Sequence, residues 1–149
     1  MAPTGVPSMT RRRSKTVAAW LALLLGPLGV HRLYVHGRRD LLAWLHLPPT
    51  LAGLLGVWRM RALGQDDGLA TLLVPLLGLM IAQAMLTAIL WGLCPDETWD
   101  RRHHGGVPGP ASGWAAVLAV IAALMVGGAV LMGTIAFSVQ HFFEWQLQR

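Results

Sequence analysis

The chain has 149 residues, 54% hydrophobic and 13% charged, with a positive mean hydropathy and a formal net charge of +5. Soluble domains carry about a quarter charged residues; here the few charges cluster between long uncharged runs, which points to an all-α, polytopic integral membrane bundle of four transmembrane helices. The bases flank those runs and build no separate basic domain, so nucleic acid is excluded as a partner and anionic lipid headgroups are the expected contact.

Residues 1–15 read as a disordered basic tail, rich in proline and small polar residues before Arg11-Arg12-Arg13-Ser14-Lys15. The apolar run Thr16–Val30 follows. A basic stretch before an apolar run also opens a signal peptide, but no small-residue cleavage site follows and the rest of the chain is equally apolar, so the run is expected to be retained as a first span. At helical rise it reaches only about 22 Å, so His31, Arg32 and Tyr34 are expected in the headgroup layer on the opposite side. Gly26-Pro27 should loosen its helix.

The second span is expected over Leu41–Trp58, with a kink at Pro48-Pro49 that faces protein. The third, Leu69–Leu93, is free of charge and carries Gln83 near its middle, expected to point into the bundle. Residues 94–113 read as a polar loop, and the fourth span runs from Trp114 to about Trp145, its aromatic and polar end suited to the interface. Counting bases on this four-span topology places Arg11, Arg12, Arg13, Lys15, Arg59, Arg61 and Arg149 against Arg32, Arg38, Arg39, Arg101 and Arg102. The excess favours cytoplasmic termini in a cell (inner) membrane, with Cys94 near the outer face.

The stretch Gly26-Pro27-Leu28-Gly29-Val30-His31-Arg32-Leu33-Tyr34, followed by Gly37 and an apolar segment ending Gly56-Val57-Trp58, resembles the TM2 domain family over residues 15 to about 63. The resemblance implies a helical hairpin with a Gly-x-x-Gly-x-His/Asp-Arg-Phe-Tyr turn, and it implies no defined biochemical activity. Three positions depart from the pattern. Leu33 stands where phenylalanine is usual, Gly37 arrives one residue late after His36, and Ala62 occupies a position where an acid is common. Gly29, His31, Arg32, Tyr34 and Gly37 are the candidate interaction turn.

His46 and Gln83 are the candidate intramembrane polar residues, His46 being the most central ionisable group. It is expected to satisfy a carbonyl freed by the prolines. Cys94, Asp96, Asp100, His103 and His104 lack zinc-site spacing, and no metal, cofactor or catalytic motif is read. Ala115, Ala119, Ala123 and Gly127 recur every fourth residue on the fourth span, and Ala84, Ala88 and Gly92 do so on the third. Such rows let helix backbones approach, either within one chain or between copies. The functional expectation is a non-enzymatic membrane module for assembly, scaffolding or signalling, partnered by itself or by another membrane protein. The alternative is a small transporter or channel subunit that uses His46, Pro48-Pro49 and Gln83.

Overall fold

A computed structural model describes residues 13–147; the expected disorder of residues 1–12 and the bases Arg11, Arg12 and Arg149 lie outside them. The described residues are helical and contain no strand. The order is α1 (Lys15–Leu25), a 3-10 turn (Gly26–Leu28), α2 (Val30–His36), α3 (Leu41–Leu45), α4 (Leu47–Leu63), α5 (Gly68–Leu93), α6 (Asp96–His103) and α7 (Trp114–Leu147). Three stretches are long and apolar enough to cross a bilayer: Leu41–Leu63, Gly68–Leu93 and Trp114–Leu147. The helical membrane bundle read from the sequence stands, but its first apolar segment, Lys15–Leu28, is shorter than the others.

That first segment turns back. Lys15, at the start of α1, bonds the Cys94 carbonyl at the end of α5, while Gly26 reaches down to Ala84, about halfway along α5. After the turn, α2 climbs again. The Ser14 N–H donates to the Tyr34 hydroxyl at 3.1 Å, and the Arg13 guanidinium bonds the Val35 carbonyl. The hairpin therefore enters and leaves at one end of the bundle, here called the near end. Eleven residues of α1 rise about 16 Å, half the hydrocarbon thickness. The expected first span over Thr16–Val30 is corrected accordingly, and the turn sits inside the bundle instead of in the opposite headgroup layer.

Below the hairpin, α4 takes its place against α5. Gly53 lies on Leu77 and Gly56 on Leu73, each so close that an added Cβ would come within 2.7 Å of the leucine's Cβ. The second span is not one kinked helix over Leu41–Trp58. It breaks at His46, and Pro48 and Pro49 fall in the first turn of α4, where a missing N–H costs nothing because first-turn donors have no helical acceptor. The helix then runs on to Leu63.

The longest contact is between α5 and α7. Ala84, Ala88, Ala119 and Ala123 are fully buried, Gly127 backs onto Met85, and Gly92 onto Val120. The small-residue rows of the third and fourth spans are thus used within one chain. Ala115 is the exception: it is exposed, and Ala116 is buried in its stead. Because Trp20 of α1 donates its indole N–H to the Ala115 carbonyl, α7 begins at the near end and finishes at the far one. Helices α1 and α7 thus start at the same end of the bundle, and α7 finishes at the other.

Candidate functional site

The turn is built on Gly29. Its φ of 74° is left-handed, which a residue with a Cβ resists, and a Cβ there would also overlap the Ala43 carbonyl of α3. The Gly29 N–H closes on the Gly26 carbonyl at 2.9 Å. Thr50 of α4 donates its hydroxyl to the Pro27 carbonyl at 2.6 Å, satisfying a group the turn leaves open. The hairpin tip is held by α3, α4 and α5 together.

His46 sits at the break between α3 and α4 and is 8% exposed. Its Nδ1 lies 2.6 Å from the Leu42 carbonyl. A carbonyl only accepts, so Nδ1 carries the proton. Its Nε2 lies 3.1 Å from the Gln83 Oε1. His46 therefore stitches the helix break to mid-α5, through the carbonyl of Leu42 rather than one freed by the prolines. Gln83 does not point into the bundle as expected. It lies on the exposed side of α5, reaching sideways to His46.

His31, also expected at a headgroup, is fully buried. Its ring stands edge-on to Trp91 at 5.3 Å and to His46 at 5.7 Å, and neither nitrogen has a hydrogen-bond partner among the described residues. Arg32 pairs with Asp40 at 2.9 Å, and Asp40 caps α3 through the Leu42 N–H. That pair and Gly37, whose positive φ of 89° suits glycine, carry the chain from α2 into α3.

Sequence reasoning missed a lid over the near end. Residues 94–113 are not simply a loop, because Asp96–His103 forms α6. Its acids Asp96 and Glu97 fill the first turn and Arg101, Arg102 and His103 the last, which matches the helix dipole and was a legible signal. Lys15 pairs with Asp96 at 2.6 Å. Hydrogen bonds from Lys15 and then Ser112 hold the Asp96 carboxyl at a pKa of about 2. Trp99 is buried and donates its indole N–H to the Arg13 carbonyl at 2.9 Å. The Arg13 N–H donates to His104 Nε2, so His104 keeps its proton on Nδ1 and gives it to Asp100 at 2.7 Å. His103 stacks on Trp99. His103 and His104 are thus engaged in holding α6 down, and no group of three metal-ligating side chains occurs among the described residues.

This hairpin, turn and following apolar helix coincide with a family-model match over residues 11–62. The stretch matches the TM2 domain. Within it, only the second apolar segment is long enough to cross a membrane; the first is the half-depth hairpin. Helices α5 and α7 form the floor of this stretch and α6 its lid. No curated protein and no solved structure matches the chain.

Proposed function

We propose that this protein is a non-enzymatic assembly module of the cell membrane. In this reading it binds a second copy or another membrane protein in scaffolding, envelope maintenance or signalling, with its near end in the cytoplasm. The observation that supports the reading is where the polar groups at membrane depth are spent. His46 and Gln83 meet each other, and His46 and Thr50 bond the backbone carbonyls of Leu42 and Pro27 at the helix break and the hairpin turn. They fasten the fold and leave large apolar side chains facing outward.

The orientation follows from the bases. Among the described residues Arg13, Lys15, Arg32, Arg38, Arg39, Arg101 and Arg102 stand at the near end, and Arg59 and Arg61 at the far end. Seven against two is a strong cytoplasmic bias for the near end, where the four-span count gave almost none. It replaces the expectation of an outward Cys94. Exposed Arg38, Arg39, Arg101 and Arg102 then face the anionic inner leaflet.

Two measurements test this. In a Cys94→Ser background, Gln65→Cys at the far end should react with a membrane-impermeant thiol reagent in intact spheroplasts, and Glu97→Cys only after lysis; the reverse pattern would overturn the orientation. Extraction into native nanodiscs should yield an oligomer or a stoichiometric complex. A lone monomer would overturn the assembly reading.

A further inference from the structure

We infer that the outer face of α5 is the seam of a homodimer, closed at mid-membrane by a reciprocal pair of Gln83 side-chain amides. The inference rests on the assembly reading and names its partner, a second copy of this chain.

Leu72, Leu76, Leu79, Gln83, Leu86, Leu90 and Leu93 follow one another at alternating steps of four and three. This is the repeat that places side chains along one seam between two parallel helices. The bundle does not use it. Helices α1, α4 and α7 are received on the opposite face, through Leu73, Leu77, Gly78, Ala84, Met85 and Ala88. Leu79, Leu86, Leu90 and Leu93 are 52 to 67% exposed. The far part of α7 approaches α5 at Leu72 and Pro75, so the open seam runs from Leu79 to Leu93, about 21 Å of helix.

A leucine face alone suits lipid as well as protein. Gln83 decides between them. Its Oε1 lies 3.1 Å from His46 Nε2, which leaves the NH2 group and the second lone pair of Oε1 on the exposed side of α5. Hydrocarbon satisfies neither, at a cost of several kcal/mol for each group left unpaired. Two copies inserted in the same sense are related by an axis along the membrane normal. That axis sets each seam residue against its own counterpart, leucine on leucine and Gln83 on Gln83. An amide carries both a donor and an acceptor, so two identical amides close two hydrogen bonds on each other. A lone cation or anion in that place would repel its copy. A single polar residue at such a position also fixes register.

The test is cysteine cross-linking in native membranes, in the Cys94→Ser background. Leu79→Cys, Leu86→Cys and Leu90→Cys should form oxidised dimers at least tenfold above the controls Leu54→Cys on α4 and Leu124→Cys or Met132→Cys on α7. Adding Gln83→Leu to Leu86→Cys should lower dimer formation about eightfold or more, because both hydrogen bonds of the amide pair are lost. Because Gln83→Leu also removes the partner of His46, thermal unfolding of that variant is measured alongside; the single-cysteine scan keeps Gln83 and stands without it. Cross-links only on α4 or α7, or a stoichiometric complex with a different protein, would overturn the seam and leave the assembly reading standing. A monomer with no cross-link on any face would overturn both. Full cross-linking after Gln83→Leu would remove the amide pair.

Discussion

Gly29→Ala is the sharpest probe of the half-depth hairpin. The substitution adds one methyl group at a residue with φ 74°, and that methyl points at the Ala43 carbonyl. Left-handed backbone costs a residue with a Cβ about 1–2 kcal/mol. The overlap is with backbone, which cannot rotate away as a side-chain tip can, so α3 must shift; overpacking of this kind costs about 1–3 kcal/mol. The sum is about 3 kcal/mol, or a fall of about 6–12 °C in apparent melting temperature for a chain of this size. The assay is thermal unfolding in detergent, followed by loss of the monodisperse peak in size exclusion. Gly133→Ala is the control. Gly133 is exposed within α7 with nothing within 4 Å of an added Cβ, so it should gain about 0.5–1 kcal/mol from helix propensity. If Gly29→Ala melts within 2 °C of the parent, the turn does not lie against α3 and the hairpin does not stop at half depth.

Two further outcomes test the packing and the lid. Ala119→Leu with Ala123→Leu places bulk at two fully buried positions between α5 and α7; it should insert normally yet lose about 2–6 kcal/mol of stability in the same unfolding assay. Lys15→Met should cost about 1 kcal/mol, since Asp96 is 42% exposed and solvent screens the pair. Asp96 is depressed from 3.8 to about 2, so its contribution is fully present above pH 4 and lost as pH falls through 2. An acid titration of the parent should show that loss of stability, and Lys15→Met should flatten it.

The parts of this fold that depend on local composition were legible. The charge-free runs gave α5 and α7 nearly to the residue, and the four-residue recurrence of alanine and glycine marked the faces on which they meet. Ala115 failed because a row read at strict fourfold spacing drifts off the face over three turns, so that in the first turn of α7 Ala116 takes over. The first segment was misread for a different reason. Fifteen apolar residues are too few to cross comfortably, but shortness alone does not say whether a helix is stretched by its flanks or folded back. That depends on Lys15 meeting Asp96 and Thr50 meeting Pro27, pairs far apart in sequence. Likewise His46 and Gln83 were picked out singly, as polar groups at depth, and no pattern could say that they bond across 37 positions. The lid helix was readable from its charge order and was passed over because the stretch is polar.

The path of α1 has a consequence for how the protein is made. Its berth is formed by residues synthesised much later, since Trp20 bonds the Ala115 carbonyl, 95 positions on, and Lys15 bonds Asp96 and the Cys94 carbonyl. At about 5–20 residues per second, the nascent amino-terminal segment waits about 5–20 seconds before those partners exist. It is apolar throughout that interval, yet too short to cross the bilayer by itself. Insertion of this chain is therefore not a simple first-come sequence of helices. The last span must arrive before the first segment can settle, so truncations that remove α7 should strand the amino-terminal end even though every residue of the TM2-matching stretch is present.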